Sequence, residues 1–188
     1  MTEAPPRPMH RWTFADLDLL PDDGNRYEII DGNLIVSPAP TARHQRITHL
    51  LSWLLENAAP DSCSVIPGTG VLRECPGSTR YLIPDVLVVQ ASAITDAALN
   101  LDPADVVLVV EVVSPSSMTH DRITKREVYA RLGIPHYWLV ESDRPGAIIA
   151  LTLDESGVYV PVAEVVGEDE LVLDQPFPVR IIPAALRR

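Results

Sequence analysis

Three carboxylates stand inside stretches that are otherwise apolar: Glu28 in "RYEII", Asp85 in "YLIPDVLVVQ" and Glu111 in "VVLVVEVV". A free carboxylate in a buried strand is very costly, so each must be paired, protonated or bound to a cation. Hard oxygen donors converging on Mg²⁺, with waters completing the shell, are one solution that serves all three. Each residue alone also has a plainer reading. Asp85, directly after Pro84, suits a strand-entry residue that accepts backbone N–H groups. Glu111 suits half of an ion pair with an arginine from a helix, and Glu28 suits a solvent-facing hairpin position. The conjunction of three favours a shared site.

Cationic and proton-carrying residues follow. Ser114-Pro115 ends the strand that carries Glu111, and the pattern predicts a helix over 118–132, closed by Gly133 and by Pro135 beyond. On that helix Asp121, Lys125, Val128 and Leu132 form one stripe whose apolar half faces the core, so Lys125 points towards the sheet near Glu111. A lysine among carboxylates suits phosphodiester hydrolysis. It orients or helps deprotonate the attacking water and offsets charge developing on phosphorus. A plain Asp121–Lys125 pair on an exposed helix uses the same spacing. His44 has the reach for the same cluster or for a phosphate, with a core-edge histidine as the alternative. Arg43, Arg122 and Arg126 are candidates for phosphate contacts. The chain contains no GxSxG elbow, Walker loop, dinucleotide fingerprint or closely spaced His/Cys zinc pattern.

The elements that must position these groups are legible in outline. Thr13 followed by Asp16 marks the start of a short helix over 13–20. Two extended runs flank Asp31-Gly32, which suits a type I′ hairpin with Ile30 opposite Asn33 and Glu28 opposite Ile35. Ile47, Leu50, Leu51, Leu54 and Leu55 keep helical spacing and predict a helix over 41–59. Strands are expected around 62–73, over 81–90, over 106–113 and over 136–140, with 91–105 irregular or a short helix. The strand–helix–strand order across 106–140 implies a parallel crossover, and alternating short strands after 147 read as an antiparallel extension. The sum is a mixed sheet flanked by helices, of the α/β or α+β class.

A chain of 188 residues with 46% hydrophobic content can build a real core, and a single domain is expected over 12–188. The proline-rich stretch 1–11 reads as a loose tail. It lacks the apolar segment of a secretory signal, and no run approaches the roughly 18 apolar residues of a membrane helix. Cys63 and Cys75 have neither CxxC spacing nor metal-ligand neighbours, which points to reduced thiols and a cytoplasmic protein. The net charge of -11 argues against an open, non-specific nucleic-acid coat. The charge is uneven: 141–174 holds nine acidic residues and one arginine, whereas 120–131 sets Arg122, Lys125, Arg126 and Arg131 against Asp121 and Glu127. A local basic face on an acidic protein, or a merely solvated helix face, would look like this.

The stretches "RYEIIDGNLIVSPAPTARHQRI", "IPDVLVV" and "VVEVVSPSSMTHDRITKREVYARLGIPHYWLV", in that order, resemble the Uma-two family of restriction-endonuclease-like proteins in the PD-(D/E)xK nuclease superfamily. The resemblance covers about residues 13–142. It implies a restriction-endonuclease-like core with a metal site at the sheet edge, Asp85 and Glu111 as motif acids and Glu28 as the upstream glutamate. The superfamily's lysine two residues after the motif acid is replaced here by Val113, and the family's helical lysine falls on Lys125. The implied activity is a Mg²⁺- or Mn²⁺-dependent DNA endonuclease, and a homodimer joined through the C-terminal strands, with no membrane role, is expected. The rival expectation is a catalytically silent module on the same fold that binds nucleic acid or protein. A hydrolase of smaller phosphate esters is a third.

Overall fold

The computed structural model describes residues 11–114, 118, 120–143 and 146–187. The expected tail, apart from Arg11, lies outside them, as do Pro115 and Thr119 of the expected strand end and helix.

Local rules account for the first elements. Strands β1 (Arg26–Ile30) and β2 (Asn33–Ser37) form the hairpin, with Glu28 opposite Ile35 and Ile30 opposite Asn33. Asp31 and Gly32 both take positive φ, 49° and 75°, as a type I′ turn requires. Trp12 N–H bonds the Gly32 carbonyl, and Arg11 donates to the Asp31 carbonyl at 2.6 Å. Helix α1 (Ala42–Ala58) starts at Thr41, whose side chain accepts from the His44 N–H, and it buries Ile47, Leu51 and Leu55. At the other end of the hairpin's approach, Thr13 donates to Asp16 through both N–H and hydroxyl, but the turn it starts (Phe14–Leu19) is a 3₁₀ helix.

Two expected strands are each divided. The 62–73 stretch breaks at Gly68 (φ 65°) into β3 (Cys63–Pro67) and β4 (Gly70–Arg73). The 81–90 stretch breaks at Pro84-Asp85 into β5 (Arg80–Leu82) and β6 (Val86–Gln90), because proline has no N–H for a sheet ladder. In each case the two halves enter different sheets. After β7 (Asn100–Leu101), β8 (Val106–Val113) runs unbroken. The helix beyond it is not α-helical throughout. A π-helical turn over His120–Lys125 leads into α2 (Arg126–Arg131). Strands β9 (His136–Glu141), β10 (Ala147–Leu153), β11 (Tyr159–Val166), β12 (Leu171–Leu173) and β13 (Val179–Ile181) complete the described strands.

Three sheets result. The main one has the order β11-β10-β9-β8-β6-β3. It is mixed, because β8 and β9 are parallel across the helical crossover and its other pairs are antiparallel. The second has the order β2-β1-β5-β4-β7, and β12 pairs with β13 alone. One face of the main sheet (Val86, Val88, Leu108, Val110) packs against α1 and the β12–β13 pair. The other face (Leu87, Val89, Val109, Tyr137) packs against Ile30, Val71 and Leu82 of the second sheet and against Val128 and Tyr129 of α2. Cover on both faces explains why β8 reads as a nearly continuous apolar run. This is the mixed α+β architecture expected, with helices flanking the sheet and an antiparallel C-terminal part. No described helix is long and apolar enough to cross a membrane.

Candidate functional site

Strands β6 and β8 are antiparallel, with Val86 opposite Val110. Carrying that register one step further sets Asp85 against Glu111, and residues opposed in this way project to the same side. Asp85 Oδ2 accepts the Val112 N–H at 2.8 Å and lies 3.0 Å from His44 Nε2. Its Oδ1 accepts from Arg26 at 3.0 Å, and the same guanidinium nitrogen reaches the Ile83 carbonyl at 3.2 Å. Glu111 Oε1 accepts from Lys125 Nζ at 2.9 Å and from the Tyr129 hydroxyl at 2.7 Å. Glu28 Oε1 accepts the Ile83 N–H at 2.8 Å and lies 3.2 Å from Lys125 Nζ, while Asp121 Oδ1 is 3.8 Å from the same ammonium.

The structure therefore brings Glu28, Asp85, Glu111, Lys125 and His44 into one cluster. Glu28 does not face solvent: it is buried, as are Asp85, Glu111, Asp121 and Lys125. Asp85 does accept a backbone N–H at the strand entry, and it has side-chain partners besides. The cation beside Glu111 is a lysine, not an arginine. The Asp121–Lys125 pair exists, but it faces inward on the π-helical turn. Such turns recur at functional sites.

Four carboxylates here face Lys125, Arg26 and His44. Burial pushes the Glu111 carboxyl well above the usual range; Lys125 opposes this, while Asp85, Asp121 and Glu28 reinforce it. Burial disfavours the Lys125 ammonium, but Glu111, Glu28, Asp121 and Asp85 together outweigh it, so the amine is raised and stays protonated. Burial also works against ionised Asp85, yet the His44 bond, Lys125 and Arg26 hold its carboxyl down at about 2. Arg26 is likewise raised, chiefly by Asp85 against the effect of burial.

The cluster lies along a cleft of about 590 Å³. Its outer wall comes from Ile35, Pro38, Pro40 and Arg43, the last exposed to solvent. Arg122 and Arg126 are not part of it. They line a separate cleft of about 500 Å³ with Ile123, Arg131 and Val158. There Arg122 pairs with Glu141, and Arg126 donates to the Tyr159 carbonyl. Of the three arginines expected at phosphates, only Arg43 borders the carboxylate cleft.

Two participants escape a reading by sequence pattern. Arg26 shares the Glu28 side of β1 at a spacing of two, which was the available signal. Tyr129 reads as an apolar core residue, and nothing in its spacing announces that its hydroxyl meets Glu111.

The donor set suits a hard divalent cation. Among the described residues no three His, Cys, Asp or Glu side chains are gathered as a ready shell, and Lys125 stands within ion-pair reach of three of the carboxylates. However, no described residue donates to Oε2 of Glu28 or Oε2 of Glu111, and Asp85 Oδ1 accepts only once. Oxygen donors with spare acceptor positions, in excess over the local cations, are what Mg²⁺ or Mn²⁺ would take.

No curated protein matches the chain. A crystal structure described as a putative nuclease belonging to DUF820, from Anabaena variabilis ATCC 29413, superposes with a TM-score of 0.64 over 88% of this chain and 89% of that one, at 15% identity. At that identity the likeness concerns the fold. A family model described as "Putative restriction endonuclease", Uma2, matches residues 14–185, and the chain belongs to that family.

Proposed function

We propose that the protein is a Mg²⁺- or Mn²⁺-dependent endonuclease that hydrolyses phosphodiester bonds in DNA. The observation that carries this reading is the delivery of Lys125 from the π-helical turn to Glu111 and Glu28, which fills the role left open by Val113. Asp85 and Glu111 would hold the ion, with Glu28 completing the shell directly or through water. When bound, a divalent cation lowers the pKa of an attacking water and offsets charge on the scissile phosphate. The chain's own groups do the rest. Lys125 orients the water and stabilises the negative charge that develops on phosphorus. Tyr129 holds Glu111 in place through its hydroxyl. Arg26 and His44 hold Asp85, and Arg43 at the open side meets a neighbouring phosphate.

The family supports DNA as the substrate class. We take residues 12–188 as one functional domain. Exposed Val160, Val162 and Val166 on the edge strand β11 support a homodimer through the C-terminal strands. A monomer mass by light scattering at high concentration would count against that. Two free thiols, Cys63 and Cys75, support a reducing compartment.

The test is cleavage of linear, supercoiled and single-stranded DNA with Mg²⁺ or Mn²⁺ by the wild type, Asp85→Ala and Lys125→Ala. Activity only in the wild type is expected; equal activity in all three sinks the assignment. One observation favours the silent binding module instead: Lys125, Arg26 and Tyr129 already compensate the buried carboxylates without any metal. Calorimetric titration with Mg²⁺ separates the two, since a wild type that binds no ion fits only the silent module.

A further inference from the structure

The donors around Asp85 are shared unevenly between its two oxygens. Oδ2 accepts from the Val112 N–H at 2.8 Å and sits 3.0 Å from His44 Nε2, whereas Oδ1 accepts only from Arg26 at 3.0 Å. Each carboxylate oxygen offers two good acceptor positions. Oδ2 is therefore filled, and Oδ1 keeps one position. We propose that His44 is a positioning residue that, together with the Val112 N–H, fills Oδ2, confines Asp85 to binding through Oδ1 and thereby selects Mg²⁺ or Mn²⁺ over Ca²⁺. The inference rests on the metal reading given above.

The neighbouring carboxylates repeat the pattern. Glu111 Oε1 is filled by Lys125 and Tyr129, and Glu28 Oε1 accepts the Ile83 N–H with the Lys125 ammonium 3.2 Å away. Asp85 and Glu111 cannot chelate an ion through both oxygens without losing a hydrogen bond, and Glu28 cannot without crowding the Lys125 ammonium. Three single-oxygen donors with water between them suit the octahedral shell of Mg²⁺, at about 2.0–2.1 Å per ligand. Ca²⁺ takes about 6–8 ligands, commonly with a carboxylate bound through both oxygens. It is the ion such an arrangement disfavours.

His44 is the adjustable member of this set. The Val112 N–H is backbone in a buried strand, and Arg26 is fixed in the hairpin that also carries Glu28. The His44 imidazole is anchored differently. It sits in the first turn of α1, next to buried Ile47, and its Nδ1 is enclosed without a hydrogen-bond partner among the described residues. Among the described residues, Asp85 is thus its one polar side-chain contact. Removing the ring opens a second acceptor position on Oδ2 and leaves every other donor in place.

The experiment is calorimetric titration of Mg²⁺ and of Ca²⁺ into the wild type, His44→Ala and His44→Gln, with no substrate present. The wild type should prefer Mg²⁺. His44→Ala should shift the Ca²⁺:Mg²⁺ affinity ratio towards Ca²⁺ by about tenfold, the lower end of what partners of metal ligands contribute. His44→Gln, whose amide can still donate to Oδ2, should restore most of the preference. A general loss of packing would weaken both ions together and leave the ratio unmoved. If His44→Ala does not fold, His44→Leu keeps the apolar bulk and gives the same comparison. An unchanged ratio in the folded variant overturns the selectivity role alone. A wild type that binds neither ion overturns the metal reading and this inference with it.

Discussion

Replacing Lys125 with methionine keeps the length of the stem and removes the ammonium shared by three carboxylates. Nζ lies 2.9 Å from Glu111 Oε1, 3.2 Å from Glu28 Oε1 and 3.8 Å from Asp121 Oδ1, and the residue is 6% exposed. Removing one partner of a buried ion pair costs about 3–5 kcal/mol, because the charge left behind has no compensation. Glu111 keeps the Tyr129 hydroxyl and Glu28 keeps the Ile83 N–H, so a loss near the lower end, about 3 kcal/mol at neutral pH, is expected. The loss depends on pH. A carboxyl whose folded pKa is raised is most favourable to folding below its unfolded value, about 4.3, and that contribution is lost as pH rises through the folded value. Burial already raises Glu111, and without Lys125 it rises further. The deficit of Lys125→Met against the wild type should therefore be small at about pH 4 and grow towards about pH 8. Urea unfolding of both proteins across that range measures it. A deficit under about 1 kcal/mol at the alkaline end, typical of a solvent-screened pair, would refute a buried counter-ion role, as would one that does not change with pH.

Tyr129→Phe deletes the 2.7 Å bond to Glu111 and should cost about 2 kcal/mol in urea unfolding, the usual range for hydrogen bonds to charged groups; an unchanged midpoint would mean that the hydroxyl is dispensable. Gly32→Ala places a methyl in a left-handed turn at φ 75°, where it meets Arg11 Cβ at 2.7 Å, so a thermal unfolding shift equivalent to at least about 1–2 kcal/mol is expected. Asp85 titrates at about 2 in the fold, below its ordinary 3.8, so its contribution is present above the unfolded value and disappears as pH falls towards about 2. Asp85→Asn should flatten that acid limb in a pH series of unfolding curves, and an identical limb would contradict the pairing. If Glu111 is a ligand as proposed, the cation must bind its ionised form, whose carboxyl is raised by burial, so Mg²⁺ affinity should increase with pH and binding should release protons. Calorimetry in two buffers of different ionisation enthalpy reads that release; no proton release would count against Glu111 as a ligand.

Local chemistry predicted several elements well. Asp31-Gly32 defined the hairpin and its register, because few residue pairs take positive φ twice, and the isoleucine and leucine spacing marked α1. The run 106–113 was legible because a strand covered on both faces has no polar side. What failed depended on tertiary partners. "YLIPDVLVVQ" reads as one strand, yet Pro84 sends its halves into different sheets, and Asp85 sits at that break because its carboxylate answers the Val112 N–H on the neighbouring strand. The π-helical turn at His120–Lys125 has no residue signature, and i,i+4 spacing puts Asp121 and Lys125 on one face in an α-helix as well. The acids of the cluster could be collected as charges among apolar residues. Tyr129 could not, because its polar atom is hidden in an apolar pattern, and Arg26 at a strand start looks like any solvated cation.

The most direct test of the account is anomalous diffraction from crystals of the wild-type protein soaked in Mn²⁺. A single strong peak in the cleft, within ligand distance of one oxygen of Asp85 and one of Glu111, with Lys125 beside Glu111, is the predicted result. A well-ordered cluster with no peak there, or manganese bound only elsewhere on the surface, would contradict it.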